Sequence, residues 1–149
     1  MKAKILIVGL ITVIAAGCSK DQFSSTPHIS LKSVSPLVLS ANQVITFDIN
    51  FTDAEGDVQD TIWVQKVTSN CTASNFTQAY KIPSFTPTKD LSGVFQVTFA
   101  YGINLGYPPI KEPQCNPKND TCVFKFWMQD VAKHKSDTIT TPTIVLIKR

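Results

Sequence analysis

The sequence predicts an all-β domain, and three observations carry that prediction. From His28 onward, short segments rich in Val, Ile, Phe, Tyr and Thr are separated by Pro, Asn, Asp and Gly. The clearest segment alternates Ile45, Phe47, Ile49 and Phe51 with Thr46, Asp48, Asn50 and Thr52, the period of a strand with one buried and one wet face. No segment carries a helical period. The chain of 149 residues suits one domain with its own core.

The chain opens with a basic head at Lys2 and Lys4, an uncharged apolar run from Ile5 to Ala16, and small residues before Cys18. That pattern is a secretory signal, too short in its apolar core to anchor stably across a bilayer. With Lys2 and Lys4 removed, 12 basic side chains face 11 acidic ones. No basic patch or Arg-rich run survives, so no nucleic acid is expected as a partner. Asp21 to Pro27 is polar and aperiodic, and reads with Cys18 as a flexible tether over 18–27.

Strands are expected over 29–39 (broken at Pro36), 44–52, 61–68, 76–82, 94–101, 122–129 and 138–147. Seven such strands suggest a single immunoglobulin-like β-sandwich over 28–149, with an up-and-down barrel as the alternative. Phe95, Val97, Phe99 and Tyr101 and then Phe124, Phe126 and Met128 repeat the period-two pattern and are expected to supply core. Proline cannot donate to a ladder, so the first and last strands should be bulged or at edges near Pro36 and Pro142.

The residues Ala15-Ala16-Gly17-Cys18 resemble the bacterial lipobox, with Ala15 where Leu is commoner. The resemblance implies a leader over 1–17, removed before a Cys18 that carries covalent lipid and holds the protein on a membrane. Ser19 in place of Asp points to the outer membrane or cell surface. Ser19-Lys20-Asp21-Gln22 looks like a short form of the charged export signal of Bacteroidota surface lipoproteins. FTDAEGDV and the segment from Val123 to Ile147 resemble the immunoglobulin-like, cadherin-like domains of small Bacteroidota lipoproteins. Such domains imply a non-enzymatic envelope role: adhesion, glycan capture or assembly with an envelope protein.

In a sandwich the loops after the second, fourth and sixth strands share one pole. Asp53, Glu55 and Asp57 are thereby expected to meet Asp130 and Asp137, with Asp90 near. Calcium takes six to eight oxygens at about 2.3 to 2.6 Å in irregular cages, and such acids with backbone carbonyls suit it. The loop is no EF-hand, because Val58 and Val64 occupy the positions of the required Gly and Glu. The competing reading is that these acids only close turns, or that Lys89, Lys133 and Lys135 neutralise them.

Cys71, Cys115 and Cys122 allow one disulfide and one free thiol in an exported protein. Cys115 with Cys122 is the favoured pair because a turn-rich stretch separates them; Cys71 with either remains open. The connection over 102–121 is long for a compact domain. Tyr107 and the outward Trp127 are expected to offer aromatic surface for a sugar or protein ligand. Two alternatives to the binding role are an accessory or inhibitor acting through that loop and a hydrolase using the acidic pole. Neither His28 nor His134 lies in a nucleophile motif such as G-x-S-x-G.

Overall fold

A computed structural model of the chain describes residues 23–102, 106–113, 115 and 119–148. The expected leader over 1–17 and the lipid attachment point at Cys18 lie outside the described residues. In chain order the strands are β1 (His28–Ser35), β2 (Val38–Leu39), β3 (Val44–Asp53), β4 (Thr61–Thr68), β5 (Phe76–Lys81), β6 (Leu91–Tyr101), β7 (Pro109–Ile110), β8 (Asp120–Gln129), β9 (Ile139–Thr140) and β10 (Ile144–Leu146). A single 3-10 turn, Thr72–Ser74, precedes β5.

The strands form two mixed sheets, as in a β-sandwich. One runs β1-β3-β6-β7, and the other β2-β10-β8-β4-β5 with β9 also on β8. The consecutive strands β5 and β6 belong to different sheets, which excludes the up-and-down barrel. The expected first strand is divided at Pro36: β1 pairs with β3 through a bulge between Leu31 and Ser33, and β2 pairs in parallel with β10 in the other sheet. The expected last strand is divided around Pro142 into β9 and β10. The short β7, parallel to β6, was not expected, because two residues carry no readable period.

The core lies where the alternation places it. Every second residue of β3, β4 and β8 faces inward, and Ile45, Phe47, Ile49, Val64, Phe124, Phe126 and Met128 are wholly buried. Phe47 of one sheet meets Phe124 and Phe126 of the other, with ring centroids 4.9 and 5.0 Å apart. Each such side chain contributes roughly 1.5 to 3 kcal/mol on burial, so this contact is a main clamp between the sheets. In β6 only Phe99, Ala100 and Tyr101 are buried. Phe95 and Val97 are half-buried, since that end of β6 borders an open cleft of about 230 Å³ between the sheets, walled also by Tyr80, Ile82 and Pro108.

Candidate metal centre

The turns after β3 and β8 and the long connection from β5 to β6 converge at one end of the domain, as the alternation of strand directions requires. Val131 N–H donates to the Asp57 carbonyl at 2.9 Å, and Asp90 N–H donates to the Ala54 carbonyl at 2.9 Å. Ala54 N–H in turn donates to the Ser24 carbonyl at 3.0 Å, so the start of the described chain is fastened to the same pole. Gly56 makes the turn after β3 possible. Its φ of +69° suits glycine, and a Cβ there would stand 2.0 Å from the Thr88 carbonyl oxygen.

Asp53, Asp57 and Asp130 meet at this pole, each offering a carboxylate oxygen within 4.8 Å of the others. Oxygens bound to one calcium at about 2.4 Å stand no more than about 4.8 Å apart, a condition that these three carboxylates meet. Asp53 and Asp130 are wholly buried and Asp57 is half-buried. Asp53 Oδ2 accepts the N–H groups of Gly56 (2.6 Å) and Asp57 (3.2 Å), closing the turn. Asp130 Oδ1 accepts His134 N–H at 2.8 Å, and its Oδ2 lies 3.0 Å from His134 Nδ1.

Two oxygens are left over. Asp53 Oδ1 and Asp57 Oδ1 are both out of solvent and have no hydrogen-bond partner among the described residues. A buried acceptor without a donor costs about 1 to 3 kcal/mol, and more when it is charged. Burial pushes the Asp53 carboxyl above its ordinary value, the Gly56 and Asp57 N–H groups oppose this, and the charges of Asp57 and Asp130 add to it. A hard cation placed between them would satisfy both orphan oxygens and offset the mutual repulsion.

The other expected ligands stand apart. Glu55 is exposed, because the turn points Asp53 and Asp57 inward and the residue between them outward. Asp137 is exposed beyond Ser136, whose hydroxyl holds Met128 N–H at 3.0 Å. Asp90 is exposed as well, despite its backbone bond to the pole. Lys133 pairs with Asp60 at 2.8 Å, and Lys135 Nζ sits 5.9 and 5.8 Å from the rings of Trp63 and Trp127. Neither lysine has a contact with the three carboxylates; His134 is the group that touches Asp130.

The favoured disulfide is corrected. Cys71 bonds Cys115, with Cα atoms 5.6 Å apart, and Cys122 is a free thiol. Cys122 occupies an inward position of β8 and packs in the apolar core cluster, to which Cys71 does not belong. Burial pushes its thiol up to about 12, with the Lys66 charge opposing and the Asp120 charge adding.

Tyr107 is exposed just before β7, at the edge of the four-stranded sheet, whereas Trp127 lies on the outer face of the other sheet. The two therefore form no common surface. Trp127 packs on Trp63, its cross-strand partner, with ring centroids 6.1 Å apart and planes within 5°. Sequence reasoning missed Trp63, although the alternation of Ile62 and Val64 around it places it on the outer face. It also missed Lys66 and Asp120, a buried ion pair on inward positions of β4 and β8.

No family model matches the chain, and no curated protein matches it. Among solved structures it is similar to the sporulation control protein Spo0M from Bacillus subtilis, with a TM-score of 0.43 and 8% identity over 83% of this chain. The chain spans 50% of the length of that protein. A likeness of this degree bears no functional weight.

Proposed function

We propose that this chain is a non-enzymatic, lipid-anchored immunoglobulin-like domain of the bacterial cell envelope, stiffened by calcium at Asp53, Asp57 and Asp130. Lipid on Cys18 holds it at the outer membrane or cell surface, and its task is adhesion, glycan capture or assembly with an envelope protein. The observation that carries the calcium site is the pair of buried orphan oxygens, Asp53 Oδ1 and Asp57 Oδ1, beside Asp130. Asp53 and Asp130 already close their own turns through backbone N–H groups, which favours a structural task over acid–base chemistry.

The immunoglobulin-like reading is supported by the sheet order and by the first strand. That strand starts in one sheet and ends in the other, parallel to the last strand. The bond from Ala54 N–H to the Ser24 carbonyl supports a tether that leaves from the acidic pole, where an ion would stiffen the end of the domain nearest the proposed anchor. For glycan capture the candidate surface is the Trp63–Trp127 pair.

The deciding experiment for the site is thermal unfolding of the purified protein in millimolar calcium and in excess chelator. A higher melting temperature in calcium is expected, by mass action on the folded state. Equal melting temperatures reject the calcium site. The anchor is tested separately: Cys18→Ser should release the protein from the membrane fraction.

A further inference from the structure

Lys66 and Asp120 break the apolar pattern of the core on the paired strands β4 and β8, and their side chains meet there. In β4 the inward residues are Ile62, Val64, Lys66 and Thr68, and in β8 they begin Asp120, Cys122, Phe124. Both charged side chains are 0% exposed. Lys66 Nζ hydrogen-bonds Asp120 Oδ2 and donates to the Ser74 carbonyl at 3.0 Å. Asp120 Oδ1 is buried and has no partner among the described residues. The cross-strand neighbours of Lys66 are Phe124 and Phe76, and the Cys122 thiol lies near enough to sense both charges.

As an ion pair this arrangement is poor. Two ions lose their hydration, an effective cost of several kcal/mol each, and the carboxylate keeps one oxygen unsatisfied. The same atoms are well placed for a reaction that removes both charges. A primary amine and a carboxyl group lie in direct contact, out of water, in surroundings that favour neutral products over ions.

We propose that Lys66 and Asp120 are joined by an intramolecular amide bond between Nζ and Cγ, linking β4 to β8 within the core. The ammonium passes one proton to the carboxylate, and the amine so formed attacks Cγ. The Nζ–Cγ bond forms and one Cγ–Oδ bond breaks. The departing oxygen leaves as water, carrying two of the three hydrogens that Nζ held as an ammonium. The positive and negative charges cancel, and no oxidant, reductant or further reactant is consumed. The remaining N–H keeps the Ser74 carbonyl as acceptor.

The domain contains its own control. Lys133 and Asp60 form the same type of pair at 2.8 Å, but their side chains are 67% and 24% exposed, where water stabilises the ions and opposes condensation. That pair should stay ionic.

The test is peptide mapping of the purified wild-type protein, reduced, alkylated, denatured and digested with trypsin. An amide on Lys66 blocks cleavage there, so the expected product joins residues 33–81 to residues 119–125, one water lighter than the two together. Cleavage after Lys133 should be unimpaired. Recovery of most Lys66 and Asp120 in separate linear peptides, from protein kept folded for days, overturns the proposal. Because the mapping uses the wild-type protein, its outcome does not depend on whether an Asp120→Ala variant folds; where that variant does fold, cleavage after Lys66 should return.

Discussion

The Asp57 carbonyl accepts the Val131 N–H at 2.9 Å, and through this bond the turn after β3 is fastened to the turn after β8, one turn from each sheet. The two turns bring Asp53 and Asp57 against Asp130. The backbone thus holds together three acids whose charges push them apart, and a cation would reverse the sign of that interaction.

Neutralising one acid should separate these effects. Asp57→Asn removes a charge and keeps the shape, while Asp57 holds Val131 only through its backbone. In chelator the variant should melt no lower than wild type, because repulsion is relieved. The gain from calcium should vanish, a gain of about 2.7 kcal/mol for wild type at a hundred times Kd. A variant that responds to calcium as wild type does would remove Asp57 from the ligand set.

Gly56→Ala should destabilise the fold with or without calcium. A methyl group there collides with the Thr88 carbonyl oxygen in a backbone conformation that side chains disfavour. The expected loss is on the order of 2 to 3 kcal/mol. It should appear in urea unfolding as a lower midpoint at unchanged slope. A loss confined to calcium-loaded protein would mean that Gly56 serves the ion rather than the turn.

Much of this fold is legible in period-two alternation. Ile45 to Phe51 and Phe124 to Met128 are buried as their pattern demands, and Thr61–Thr68 begins and ends where the sequence places it. Strand directions then bring Asp53 and Asp57 to Asp130. Facing within a turn is a different matter, because a turn has no fixed period. Glu55 and Asp137 are chemically as suitable as their neighbours, but point outward. Cysteine pairing also resists a sequence reading. Cys115 is nearer in sequence to Cys122 than to Cys71, yet register turns Cys122 into the core while the chain path brings Cys71 to Cys115. Lys66 and Asp120 escaped notice because each resembles surface charge until its register is counted.

Thiol labelling should follow that pairing. Cys122, its thiol pushed up to about 12 by burial, should resist alkylation at neutral pH in the folded protein. In denaturant without reductant, Cys122 alone among Cys71, Cys115 and Cys122 should label. Modification of Cys71 or Cys115 under those conditions would contradict the disulfide. Replacing both Cys71 and Cys115 by Ser opens a loop of sequence separation 44. On the chain-entropy account this lowers stability by about 4 kcal/mol.

Calcium binding should weaken on acidification, through Asp53. Burial holds its carboxyl above the ordinary 3.8, so the folded protein keeps that proton where the unfolded chain has released it. Over the window from 3.8 up to the raised value, metal-free stability therefore rises as pH falls, and the gain is complete below 3.8. Asp48 and Asp60 act in the opposite sense: hydrogen bonds, from Ser33 first for Asp48 and from Lys133 first for Asp60, hold both below 3.8. What they contribute is lost only as pH falls below that value. Calcium needs Asp53 ionised, so binding within its window must expel a proton. Titration calorimetry in two buffers of different ionisation enthalpy should detect that proton, and Asp53→Asn should abolish it. An apparent Kd for calcium that stays constant as pH falls through the window would show that Asp53 is not a ligand.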